Sequence, residues 1–299
     1  MIECVPNVSE GRRPAVVEML AADARAVAGV HLLDYSADPS HNRSVYTMAG
    51  EAQALKTAVL AMAWSAVRTI DLRGHSGVHP RMGAIDVVPF IPLGDTTMGE
   101  CVSLARAVGQ AVAERLNVPI YLYEEAASNE SRRRLENIRR GGFEGLAAKM
   151  NDPDWTPDFG PSTPHPTAGA TAVGARRALI AFNVNLATNN LSVARHIAAV
   201  VREHNGGLPA VKALGLALPE RDIVQVSMNL TDFEQTSVET AFQRVAAEAA
   251  NAGVDVLESE LVGLIPEAAL KGTTPARLRL RNFSDERVLE RKLARLISE

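Results

Sequence analysis

Two of the chain's seven histidines, His75 and His79, fall within DLRGHSGVHPRMGAIDVVPFIP, residues 71 to 92, beside Asp71, Arg73, Arg81, Asp86 and three glycines. Gly77 and Pro80 flank His79, and the residue before a proline is driven to extended backbone, so the two imidazoles cannot share one face of a regular helix. The stretch reads as a loop held against a strand at 84 to 91. Loops placed by a rigid sheet are where catalytic and binding side chains concentrate. Imidazole titrates near neutrality, as a proton shuttle must. Arg81 would lower the pKa of His79 by like-charge repulsion, whereas Asp86 or Asp71 would raise it. The residues alone leave three readings: a catalyst supported by His75, Arg81 and Asp86, a structural turn, or a metal centre drawing in Asp34, Asp38 and His41. No spacing in that last set matches a metal motif, so no metal is expected.

Other polar residues extend the candidate site. Lys149, Arg176 and Arg177 flank a Pro- and Gly-rich connector at 151 to 174 and are placed to pair with ligand carboxylates. Asn183, Asn185 and Asn229 fall on expected strands among apolar neighbours, where an amide needs partners from the protein or from a bound heterocycle. The arginines at 132, 133, 134, 139 and 140 read as a solvated helix face, or as a source of attraction for an anionic small molecule. The glycines of PSTPHPTAGATAVGARR match neither a dinucleotide fingerprint nor a P-loop, so no nucleotide cofactor is expected.

The surrounding pattern says what positions these groups. Strands are expected at 2–6, 30–35, 43–49 and 84–91, with helices at 12–27 and 51–69, which gives β, α, β, β, α, β. A helix at 97–116, a strand at 118–124 and two short helices broken at Gly141 and Gly142 follow. After the connector, anchored by Trp155 and Phe159 rather than disordered, the first pattern returns. Strands at 178–186, 211–218, 222–230 and 254–265 alternate with helices at 190–204 and in TSVETAFQRVAAEAANAG. The fold class is therefore α+β. It consists of two ferredoxin-like, split βαβ subdomains, residues 1–177 and 178–299, with helices outside and the uncovered sheets facing each other around a ligand crevice.

Bulk composition removes several function classes. With 46% hydrophobic residues the chain can bury ample core, and a formal charge of −4 gives no general reason to bind nucleic acid or an anionic membrane. No apolar run reaches the roughly 20 residues of a membrane span, and MIECVPNVSEGRRP lacks the features of a signal peptide, so a cytoplasmic protein is expected. Cys4 and Cys101 read as reduced core residues.

Several segments together resemble the formiminotransferase family. They are IECVPNVSEGR, DPSHNRSVYTMAG, DLRGHSGVHPRMGAIDVVPFIP, VPIYLYEEAA with SRRRLENIRRGGFEGL, DFGPSTPHPTAGATAVGARRALIAFNVNL, QVSMNL and SELVGLIP, in the family's order over almost the whole chain. The resemblance implies transfer of the formimino group from N-formimino-L-glutamate to N5 of tetrahydrofolate, a co-substrate, by a homodimer. It places the family's catalytic histidine at His79. It also places the folate segment at Gly160 to Gly169, including Pro161, His165 and Pro166, with Phe159 and the connector wedging the pterin. The loop SADPSH departs from the animal bifunctional proteins, so no acidic partner is carried onto it, and the cyclodeaminase domain of those proteins is not expected here. Two other readings keep the folate site: a 5-formyltetrahydrofolate enzyme, by formyl transfer or ATP-dependent cyclisation, and a folate-binding protein without catalysis.

Overall fold

A computed structural model describes residues 1–77 and 80–298, and the chain divides into two compact units, Met1–Arg176 and Arg177–Glu299. In the first unit the elements are β1 (Ile2–Cys4), β2 (Asn7–Val8), α1 (Pro14–Arg25), β3 (Val30–Asp38), β4 (Arg43–Gly50) and α2 (Ala52–Thr69). They continue as β5 (Ile85–Pro92), α3 (Met98–Leu116), β6 (Ile120–Glu124), α4 (Leu135–Arg139), α5 (Gly142–Lys149) and β7 (Thr171–Ala175). The expected first strand is two short ones around Pro6, which has no N–H to give a ladder, and both pair with β4 and β5. Counting β1 and β2 as one, the sheet order is β3, β4, β1/β2, β5, β7, β6, so the first four positions form the split βαβ arrangement.

The extension of that sheet corrects the sequence reading. β7 lies inside the segment expected to be connector, and it runs parallel to both neighbours, β5 and β6. Its residues, TAVGA, are small and all buried, so they show no in–out alternation to mark a strand. The sheet is also not bare on its second face. Helices α1 to α3 pack on one side against Tyr46, Met48, Phe90 and Leu122. On the other, Ile138 of α4 and Leu146 of α5 cover Val87, Tyr121, Tyr123 and Ala172.

Local chemistry explains the helix boundaries. Pro14 occupies the first turn of α1, and the buried Glu10 carboxylate accepts the amides of Arg12 and Arg13 at 2.8 and 2.9 Å just before it. A capping box of Thr97 and Glu100 starts α3, and Asn117 at φ +55° ends it. Such a cap is worth about 1 kcal/mol.

The second unit holds β8 (Ile180–Leu186), α6 (Leu191–Val201), β9 (Val211–Leu218), β10 (Ile223–Leu230), α7 (Val238–Asn251), β11 (Val256–Val262) and a terminal helix α8 (Leu289–Ser298). Its sheet is antiparallel in the order β11, β8, β10, β9, the complete split βαβ unit. Alternation in β8 sends Ile180, Phe182, Val184 and Leu186 into the core, and Asn183 and Asn185 to the other face. There Asn185 donates to Glu258 and Glu260 at 3.0 Å each and accepts from Gln225 at 2.8 Å, so this fully buried amide is satisfied by protein. Among the described residues, no helix is long and apolar enough to cross a membrane.

Candidate active site

The loop between α2 and β5 is fastened at its start by Asn42, which precedes β4. Asn42 Oδ1 accepts the Gly11 amide at 3.0 Å, its Nδ2 donates to the Ser76 carbonyl at 3.0 Å, and its carbonyl lies 3.1 Å from His75 Nε2. Three segments distant in sequence therefore meet at one side chain. The approach is close enough that a β-carbon on Gly77 would stand 2.3 Å from the His41 carbonyl oxygen, so glycine is required there.

His75 has its protonation state set by geometry. Its Nδ1 lies 2.9 Å from Arg81 Nε, and a guanidinium only donates, so Nδ1 is unprotonated and the ring proton sits on Nε2, toward Asn42. Burial and the Arg81 charge hold its pKa below the ordinary 6.5, against the pull of the Asn42 carbonyl. Arg81 also donates to the His75 carbonyl at 3.0 Å and pairs with Glu144 of α5 at 2.7 Å, while its own carbonyl accepts the Phe143 amide at 3.0 Å. Val78 and His79 lie outside the described residues. His75 and Arg81 thus brace the loop on either side of His79.

The loop's far root is held by Asp86, buried to 1% exposure. Its Oδ1 accepts the amides of Met82 and Gly83 at 2.9 and 3.2 Å, and its Oδ2 lies 2.5 Å from Arg139 and 3.5 Å from Arg43. Burial alone would raise this carboxyl, but Arg139, Arg43 and the Met82 amide outweigh it and keep the pKa below the usual carboxylate range. Arg43 gives its Nε and Nη2 to Asn7 Oδ1 at 3.1 and 2.5 Å. Burial, with the like charge of Arg139, brings it down to about 10. Arg43 is not among the residues singled out by sequence pattern, although a charge opening the strand RSVYTMA is a signal. Arg139, expected either on a solvated helix face or as a source of attraction for an anion, is instead largely buried against Asp86.

The connector reaches the same loop. Leu72 donates to the Thr167 carbonyl at 2.8 Å, Ala84 to Ala168 at 2.9 Å, and Ala170 to Met82 at 3.1 Å. His165 and Gly169 close a turn with mutual backbone bonds of 2.9 and 3.0 Å, with Pro166 exposed at its tip. The His165 Nδ1 accepts the Ala168 amide at 3.0 Å, which leaves its proton on Nε2, and burial lowers its pKa. Gly169 has φ +68°, and a β-carbon there would stand 2.0 Å from the Met82 carbonyl oxygen. The turn lies tight against the loop because nothing larger fits.

Other candidates have different duties. Arg132, expected on a solvated face, is buried; it pairs with Asp158 at 3.2 Å and donates to the carbonyls of Asp154 and Thr156 at 2.6 and 2.7 Å. It pins the connector, and Trp155 is anchored edge-on to Tyr121. Phe159 does not stand ready for a pterin: it packs into the α3-side core, where a β-carbon on Gly109 would lie 3.4 Å from its ring. Gly160 and Pro161 follow it, with Gly160 against Val118 and Ala113. Lys149, expected to grip a ligand carboxylate, instead has its ammonium hydrogens directed at the carbonyls of Asn137, Ile138 and Arg140 around the end of α4. Arg176 donates its amide to Phe90 at 3.0 Å, with its guanidinium beside the Tyr123 hydroxyl. Asn183 belongs to the second unit, so these residues do not form one cluster within the first.

Of the metal candidates, Asp38 pairs with His41 at 2.6 Å and His75 is committed to Asn42 and Arg81. Among the described residues, no three His, Cys, Asp or Glu side chains are placed to hold a metal ion.

Two split βαβ units, the first carrying a braced histidine loop stitched to a Pro- and Gly-rich turn, define the class. Residues 1–176 match the N-terminal subdomain of the formiminotransferase domain and residues 181–290 match the formiminotransferase domain, so the chain belongs to the formiminotransferase family. It is 44% identical, over 98% of each chain, to the glutamate formimidoyltransferase of Streptococcus pyogenes serotype M1. It is likewise 44% identical to the glutamate formimidoyltransferase of Thermoplasma acidophilum, over 98% of this chain and 97% of that one. With the formimidoyltransferase-cyclodeaminase of Rattus norvegicus it shares 45% identity over 90% of this chain and 51% of that protein.

Proposed function

We propose that this protein transfers the formimino group from N-formimino-L-glutamate to N5 of tetrahydrofolate, giving 5-formiminotetrahydrofolate and L-glutamate. The observation that carries the reading is 44% identity with glutamate formimidoyltransferases along nearly their full length.

His79 is assigned the proton shuttle. The N5 amine attacks the amidine carbon to form a tetrahedral adduct, N5 loses a proton, and the C–N bond to glutamate breaks as that nitrogen gains one. A single imidazole serves both transfers, contributing about 10² to 10⁴ in rate. Alignment of the two substrates supplies a further large share. Support for His79 over His75 comes from bonding: the Nδ1 lone pair of His75 is engaged by Arg81 and its Nε2 proton by Asn42, so it has little freedom to shuttle. The turn His165 to Gly169 is assigned to the folate co-substrate, supported by its backbone bonds to the loop. Asn183, on the polar face of its sheet, is assigned to the pterin or glutamyl amide. A homodimer in the cytoplasm completes the reading.

The test is turnover of formiminoglutamate with tetrahydrofolate by purified protein, read as stoichiometric glutamate release. No detectable release at saturating substrates would reject the proposal.

A further inference from the structure

The first unit has a cavity of about 510 Å³ lined by α2 and the end of α3, and none of its lining residues belongs to the histidine loop or the connector. That volume lies in the range of small-molecule sites, about 300–1,000 Å³. Lys56, Leu60 and Trp64 stand four residues apart and so form one row along α2, while Arg115 and Leu116 are the last two residues of α3. Leu60 and Leu116 pack against the core and give the cavity an apolar floor, extended by Ala61.

Two features of this lining point to a ligand. Trp64 is 52% exposed, the largest apolar side chain left in water among the described residues. Arg68, one turn further on, lies 5.1 Å from the centre of its ring, a cation–π contact that holds the indole in place. The second feature is charge. Lys56 is half-buried, and neither it nor Arg115 has a hydrogen bond or ion pair from its side chain among the described residues. In a chain of formal charge −4 that contrasts with arginines such as Arg25, Arg133 and Arg244, each of which is paired with a glutamate. Ammonium and guanidinium groups only donate, so the two unused cations ask for an anionic acceptor. A flat ring is the apolar group that an indole face stacks best.

We propose that this cavity binds a small planar aromatic anion, with its ring against Trp64 and its carboxylate or phosphate on Lys56 and Arg115. The site is separate from the transfer chemistry and needs neither of its substrates.

The experiment titrates the full-length protein by calorimetry with naphthoate, naphthyl phosphate and the uncharged naphthalenemethanol. Wild type is compared with Trp64→Leu and with the double variant Lys56→Gln, Arg115→Gln. These are surface changes to residues of good helix propensity, and thermal midpoints check that each variant is folded. The expected result is that one or both anions bind wild type about 10-fold or more tightly than the alcohol, the worth of a hydrogen bond to a charged group. The double variant removes that preference, and Trp64→Leu weakens anion and alcohol together. The anion bound more tightly identifies the acidic group. Anion affinities within about twofold of wild type in both folded variants, or no binding to wild type, would overturn the site. A change in sedimentation of either variant without ligand would assign this face to contact between copies of the chain and overturn it as well. Since no turnover is read, failure of this site and failure of the transfer reading are separate results.

Discussion

The amide of Leu72 donates to the carbonyl of Thr167 at 2.8 Å, across 95 residues of sequence. With the bonds from Ala84 to Ala168 and Ala170 to Met82, it makes the histidine loop and the Pro- and Gly-rich turn one piece of backbone. A change in either segment is therefore felt in the other.

Replacing His79 by Asn is expected to lower kcat by about 10² to 10⁴, the ordinary worth of a positioned acid–base group. Folate binding, read by fluorescence titration, stays within a few-fold. A near-normal kcat would remove His79 from the mechanism.

Gly169→Ala tests the seam between the two segments. The position has φ +68° and a β-carbon would lie 2.0 Å from a carbonyl oxygen, so the turn must lift off the loop. The loss of stability exceeds about 1 kcal/mol, and kcat and folate affinity fall together. Urea midpoints and kinetics on the same preparation check this, and a variant as stable and active as wild type would contradict it.

His75 gives a pH signature. Its folded-state pKa is depressed below 6.5, so as pH falls through 6.5 the unfolded chain takes up the proton first, and folding stability is lost toward acid. His75→Gln keeps a donor and an acceptor but no titrating site. The stability difference between wild type and this variant should fall with acidification below about 6.5 and be flat above it. Thermal melts across that range measure it, and parallel curves would show that His75 does not carry the effect.

Arg132→Ala removes one partner of a buried ion pair and should cost about 3–5 kcal/mol, whereas an exposed pair such as Arg73–Asp71 is screened by solvent and contributes little. Limited proteolysis should then cut first between residues 151 and 160, the stretch Arg132 holds. Cleavage elsewhere, or none, would show that the connector has another anchor.

Much of this architecture was legible because the signals are local. Alternation in β8, the Pro14 and Thr97 helix starts, the Gly141–Gly142 break and the repeated β, α, β, β, α, β order depend on neighbours a few residues apart. The histidine loop was legible for the same reason, since glycine and proline constrain the chain wherever they stand. β7 was not, because a strand buried on both faces has no polar side to alternate with.

By itself, the sequence determined most of the strands and helices, β7 excepted, and which residue types cluster near a histidine in the chain. Only the tertiary structure decided their duties. Arg132 and Arg139 look alike in SRRRLENIRR, yet one pins the connector to Asp158 and the other faces Asp86. Lys149 turns to helix carbonyls and Phe159 to the α3 side of the sheet, while Asn42 and Glu144 become braces of the loop. A charge or a ring takes its role from what is brought within a few ångströms of it, and those contacts are set by packing between segments that the sequence keeps far apart.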